Sequence, residues 1–264
     1  VERAYLSINH CAQLMGGACA LATILLTSRF HSDRVASMVT PFLLAISGSF
    51  AAASLSGTET TLVALLFTTG FVAYERGWSW TMGVALALAV LARPETWFIT
   101  VLFFALRLLP WLRQTAGGGP RLTAFLLPVV AFLGLAALRS WHGGDFVSSL
   151  TAGLLTFQGS SLEGVGTVLR DFLISSVSPL LLIYALWYLL RRRLSSTGRR
   201  ALFLGAGWTL MAATHGAEAL PFNESMVPVL PILFIAVQEG LVNALNSTRG
   251  GVRQLAWGSF FGAG

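Results

Sequence analysis

The chain contains no lysine, so all 17 of its basic residues are arginine. We read this as genomic or lineage bias, since no chemistry of the chain calls for it. Charge of either sign is scarce as well: 11% of the 264 residues are charged and 55% are hydrophobic, with a mean hydropathy of +0.73. A soluble domain carries roughly 25% charged residues, which excludes that class and leaves an all-α, polytopic integral membrane protein. The formal charge of +6 would suggest nucleic acid in a soluble chain. Here the arginines gather in short loops between apolar runs, where membrane topology accounts for them and a nucleic-acid partner is not expected.

Cysteine is nearly absent. Cys11 and Cys19 share one apolar run and lie about 12 Å apart along a helix axis, too far for a disulfide within that helix, and they read as two apolar residues. No Gly-x-x-x-x-Gly-Lys-Ser/Thr loop, Gly-x-Ser-x-Gly elbow, Cys-x-x-Cys pair or dinucleotide fingerprint occurs, which argues against nucleotide-driven work by this chain alone. His10, His142 and His215 are scattered without metal-ligand spacing, so they receive no role and no metal site is assigned.

What is present is apolar sequence in lengths near the roughly 20 residues that cross a bilayer. About nine stretches can be drawn, at 6–28, 35–55, 59–74, 77–92, 96–112, 121–138, 168–190, 201–216 and 224–244. They compose one transmembrane domain over 1–244, followed by a cytoplasmic tail over 245–264. If the loop after the first stretch is cytoplasmic, alternation places thirteen of the 17 arginines inside and only Arg3, Arg93, Arg139 and Arg170 outside. That asymmetry sets the orientation. The acidic residues split the other way, with only Asp33, Glu75 and Glu239 inside. Trp78, Trp80, Trp111 and Trp187 fall near inner ends and Trp97 and Trp141 near outer ones, as interfacial belts require. The longest connection, Ser140 to Gly166, is also outer, and its apolar middle, Leu150 to Phe157, reads as a short helix lying on the membrane surface. The chain opens on Val1 and closes on a Gly-rich Phe260 to Gly264, which we read as a fragment of a longer protein.

Alternation brings four polar clusters to the outer face: Ser56-Gly57-Thr58-Glu59-Thr60, Arg93-Pro94-Glu95, Arg139 with Asp145, and Glu218 to Glu224. Ionisable groups at the ends of membrane helices are costly and mark functional sites. Arginines hold phosphate by forked hydrogen bonds, and carboxylates orient sugar hydroxyls or act as bases, so the combination suits a phosphorylated lipid. Each member also has a purely structural reading. Arg93 and Glu95 can be a helix-end pair around Pro94, Glu59 can close a capping box with Ser56, and Asp145 after Gly143-Gly144 can be a turn residue.

The order of Ser56-Gly57-Thr58-Glu59-Thr60, Ala92-Arg93-Pro94-Glu95, Gly144-Asp145 and Pro228-Val229-Leu230-Pro231 resembles the bacterial GT-C-type membrane glycosyltransferases, in particular their arabinofuranosyltransferase branch. The resemblance covers most of Val35 to Glu239. It implies a GT-C-like fold in the bacterial inner (plasma) membrane and an extracytoplasmic transfer of sugar from a polyprenyl-phosphate donor to a cell-envelope glycan or a lipid acceptor. It also implies that Arg93 faces the donor phosphate and that Glu59 and Glu95 shape the site, while the shared outer face adds Arg139 as a second phosphate-binding candidate and Asp145 as a third substrate-site carboxylate. No cofactor is assigned, and a divalent cation at the outer face is left open. The chain departs from the family in having Thr96 after Arg-Pro-Glu and no outer Asp before Glu59, so the catalytic base stays unassigned. If the family's N-terminal catalytic segment is absent in the cell, the expectation is a protein that binds donor without turning it over. The alternative function is a transporter or flippase for a lipid-linked sugar or an anion, which would be expected to show inverted repeats that this sequence does not display. A structural membrane subunit is the third reading.

Overall fold

A computed structural model describes residues 2–30, 36–113, 123–141, 195–214 and 221–247. Among them the chain is helical, without strands. Nine α-helices follow in order: α1 (Glu2–Ser28), α2 (Ala36–Ile46), α3 (Gly48–Leu55), α4 (Thr60–Glu75), α5 (Ser79–Ala92), α6 (Trp97–Arg113), α7 (Thr123–Trp141), α8 (Ser196–Thr214) and α9 (Leu230–Ser247). Short 3-10 segments, Pro94–Thr96 and Pro221–Val229, lead into α6 and α9.

The helices start and stop for local reasons. Ser47 leaves the helical conformation between α2 and α3, and its hydroxyl accepts a hydrogen bond from the Phe50 amide at 3.4 Å, capping α3. The two helices meet at 62°, so the second predicted span is broken at its middle. Helix α4 ends in a Schellman turn: Gly77 takes φ +74°, Trp78 N–H bonds to Ala73 O at 2.8 Å and Gly77 N–H to Tyr74 O at 3.1 Å. That turn folds α5 back along α4.

Close approaches at glycine set the packing. A Cβ on Gly16 of α1 would stand 2.7 Å from the Ser54 carbonyl, and one on Gly83 of α5 would collide with the Ala124 carbonyl of α7. Helix α9 runs through the middle, with Leu230, Ile232, Ile235 and Ala236 almost fully withdrawn from the surface. A helix apolar on all sides is stable only when surrounded, and α8, α2 and α4 pack against this one, with Phe67, Phe71, Leu204 and Trp208 in the same buried core. Phe67 and Trp208 meet edge to face at 5.2 Å. The outer surface is apolar too: Leu21 and Leu25 on α1, Leu88 and Leu91 on α5, and Leu126, Val130 and Leu133 on α7 are exposed. A wide apolar exterior over an apolar core is the pattern expected of a body in lipid.

Each predicted apolar stretch within the described residues carries a helix or helix pair, while 168–190 lies outside them. Two segments, Asn9–Ser28 and Ser225–Val242, are long and apolar enough to cross a membrane, and the bent α2–α3 pair makes a third if it counts as one span. They suggest a membrane protein. The expectation of about nine spans is larger than this because α4 and α5, at 16 and 14 residues, are about 24 and 21 Å long against a hydrocarbon core of about 30 Å.

The bundle has two chemically different ends. At one, a Cβ placed on Gly57 would come within 3.3 Å of the Ala12 side chain, α4 begins, and α5 turns into α6. At the other, the Arg76 Nη2 donates to the Arg29 carbonyl at 3.0 Å and Arg200 meets Glu75. We call these the Arg93 end and the Arg200 end.

Candidate functional site

The Arg93 end is built by two chain reversals. In the first, Gly57 adopts φ +73°, a left-handed conformation that glycine takes without penalty, and Glu59 then sits at the N-cap position of α4. The expected capping box does not form. The Ser56 hydroxyl donates to Ala53 O at 2.9 Å and pairs with the Thr58 hydroxyl at 2.8 Å, which in turn donates to Thr60 Oγ1 at 3.0 Å, and Glu59 makes no side-chain cap bond. The Glu59 carboxylate is therefore available to another part of the chain.

In the second reversal Arg93 is extended, at φ −141° and ψ 112°, as the residue before a proline is constrained to be. Its N–H still closes α5 on Ala89 O at 2.9 Å. Its carbonyl accepts from Thr96 N at 3.0 Å and from the fully buried Thr96 hydroxyl at 2.7 Å, so the turn is tied on both sides. Thr96, where the resembling family carries glycine, thus has a defined structural task.

The two reversals meet through one side chain. Arg93 Nε donates to Glu95 Oε1 at 3.0 Å and lies 3.5 Å from Glu59 Oε1. The helix-end pair read from the sequence is present, with Glu59 added from a separate connection. The Arg93 side chain is 22% exposed and those of Glu59 and Glu95 are 50% and 35% exposed, so the group opens to the surface with the guanidinium at its base. Among the described residues, the two Nη groups of Arg93 carry no hydrogen bond. Two carboxylates on one guanidinium leave the group one negative charge in excess.

Of the other sequence-predicted site residues, Arg139 lies in the last turn of α7. The contact of Trp97 with Phe132, centroids 6.0 Å apart, and of Gly83 with Ala124 show that this turn is at the Arg93 end. Asp145, His142, His215 and Glu218 lie outside the described residues, as do the segment 150–157 and the tail from 248. Among the described residues, no three His, Cys, Asp or Glu side chains converge as metal ligands. No protein family, curated protein or solved structure matches the chain.

A second polar cluster, at the Arg200 end, was not read from the sequence. Glu75, the last residue of α4, accepts from Arg200 Nη1 at 3.0 and 3.2 Å and from the Thr197 hydroxyl at 2.8 Å. Ser195 caps α8 by accepting from Gly198 N at 3.0 Å, while its own hydroxyl donates to Glu239 Oε2 at 2.7 Å. Two carboxylates thus sit at the positive end of α8, where the helix dipole favours them. Their only sequence signal is that Glu75 and Glu239 belong to the small acidic set at the arginine-rich ends.

Proposed function

We propose that the protein is a GT-C-type membrane glycosyltransferase, using a polyprenyl-phosphate-linked sugar donor at the extracytoplasmic face of a bacterial plasma membrane to glycosylate a cell-envelope glycan or another acceptor. The observation that carries this reading is the state of Arg93. Its Nε is fixed by two carboxylates from two different connections, and among the described residues its Nη edge has no partner. A guanidinium held in this way is oriented before a ligand arrives, and its two parallel N–H groups match two phosphate oxygens.

The chemistry follows from that placement. As an acceptor hydroxyl attacks the anomeric carbon and gives up its proton to a base that stays unassigned, the bond from that carbon to the phosphate oxygen breaks, and negative charge collects on the leaving polyprenyl phosphate. Arg93 stabilises that charge most when it is fully developed, which favours the transition state over the bound donor. Glu59 and Glu95 supply acceptors for sugar hydroxyls next to the phosphate, and their negative charge confines the site to donors whose phosphate reaches the guanidinium. Arg139, in the last turn of α7 at the same end, is a second candidate for the donor phosphate. The sidedness rests on the thirteen-to-four distribution of arginines.

Binding of polyprenyl phosphate to the purified protein in detergent tests the reading. Arg93→Ala is expected to weaken binding roughly ten- to hundredfold, the value of a charged hydrogen-bonded pair, with thermal unfolding unchanged within a few degrees. A well-folded Arg93→Ala protein that binds the lipid as tightly as the parent would overturn the assignment. Uptake of the lipid-linked sugar into vesicles without sugar transfer would favour the transport reading instead.

A further inference from the structure

The Arg200 end carries a second feature, independent of the proposed glycosyl transfer. Arg29, Arg76, Arg107, Arg199 and Arg200 all lie there, against Glu75 and Glu239. The acids are committed: Glu75 to Arg200 and Thr197, Glu239 to the Ser195 cap. Among the described residues no carboxylate pairs with Arg29, Arg76 or Arg199, all three of which are exposed.

Arg76 is the best placed of the three. The Schellman turn at Gly77 brings Trp78 beneath it, so that its guanidinium carbon stands 5.1 Å from the centre of the indole, and one Nη is anchored on the Arg29 carbonyl at 3.0 Å. The guanidinium is held at two points, and among the described residues its other N–H groups have no protein acceptor. Trp78 and, two residues further on, Trp80 are 52% and 58% exposed, and indoles settle at the headgroup level of a bilayer. An apolar wall, interfacial indoles and a restrained, uncompensated guanidinium form the complement of a phospholipid whose headgroup bears net negative charge.

We infer that Arg76, with Trp78 and Arg29, forms a selective site for the headgroup of an anionic phospholipid at the Arg200 end of the bundle. Zwitterionic lipids present the same phosphate with a cation attached, which Arg29 and Arg199 repel. The site therefore discriminates by net headgroup charge, and it ties the α1, α4 and α5 ends to one leaflet.

Lipid retention by the purified 264-residue chain tests this, using native mass spectrometry after exchange into phosphatidylglycerol or phosphatidylcholine of identical acyl chains. The parent is expected to retain phosphatidylglycerol preferentially, and Arg76→Gln to lower that preference roughly fivefold, the effect of one arginine at a membrane surface. Arg29→Gln, whose side chain makes no bond to the described protein, is expected to lower it as well and guards against misfolding of the first variant. Arg93→Gln is expected to lose polyprenyl phosphate binding and keep the phosphatidylglycerol preference, which separates this site from the proposed donor site. Equal retention of the two lipids, a preference undiminished in both Arg76→Gln and Arg29→Gln, or full displacement by millimolar glycerol phosphate would each overturn the proposal.

Discussion

Arg93 and Arg200 show how the same residue type is put to different use by its partners. Arg200 spends one Nη on both oxygens of Glu75, which is only 13% exposed and also holds the Thr197 hydroxyl, so the pair clamps the end of α4 to the start of α8. Arg93 spends its Nε and keeps its forked edge. Removing the acid should therefore have different consequences at the two ends. Glu75→Gln is expected to destabilise the protein by about 1 kcal/mol, a figure reduced for the solvent screening of a guanidinium more than one-third exposed. Glu95→Gln, at an acid that is 35% exposed, is expected to leave the unfolding midpoint within error and to alter donor binding. Equal loss of stability in the two variants, read by thermal unfolding, would contradict that division. Gln238 is a third case: fully buried, it accepts from both the amide and the hydroxyl of Thr40, at 3.1 and 2.7 Å, and so joins α9 to α2. The side-chain bonds of Glu75 and Gln238 link residues more than a hundred positions apart, which no local spacing reveals.

Between elements, the spacing is governed by glycines whose roles differ although their sequence surroundings look alike. Gly83 faces the Ala124 carbonyl directly, whereas Gly134 on α7 has open space around it. Gly83→Ala is expected to force α5 from α7 and cost about 1–3 kcal/mol, as overpacking does. Gly134→Ala is expected to be neutral or slightly stabilising, since alanine is the better helix former. Unfolding midpoints of the two variants in the same detergent check the contrast, and a tolerated Gly83→Ala would show that the two helices are less tightly seated than described. The positions of the helices were legible because apolar runs bounded by Gly, Pro, Arg and Ser are local signals, and α4, α5 and α6 begin and end within a few residues of their predicted limits. The break at Ser47 was not legible: Pro41 and Gly48 both lie in a run that reads as continuous, and the 62° bend depends on Ser47 capping α3 inside the packed bundle. The capping box at Ser56 failed for a related reason, since Glu59 finds a stronger partner in Arg93, a residue of another hairpin.

On the scale of the whole molecule, the helices run up and down between one end with excess negative charge at Arg93 and one with excess positive charge at Arg29 and Arg76. If the positive-inside distribution orients the chain as proposed, the two ends lie on opposite sides of the membrane. In a background with Cys11 and Cys19 replaced by alanine, Thr58→Cys is expected to react with an impermeant maleimide added outside intact cells, and Trp80→Cys only after permeabilisation. The reverse pattern would invert the topology and move the Arg93 site to the cytoplasmic side.

The sequence by itself determined the class, because burying so many apolar residues with so few charges is favourable only where the surroundings are also apolar. It also determined where helices form and which of their ends collect arginine, since both are properties of contiguous residues. Only the tertiary structure decided that Glu59 joins Arg93 and Glu95, that α9 is the enclosed helix, and that Glu75 pairs with Arg200 while Arg76 reaches the Arg29 carbonyl and the Trp78 ring. Those outcomes depend on which helix ends come within hydrogen-bonding distance, and a distance of about 3 Å between remote residues is set by the packing of the entire bundle.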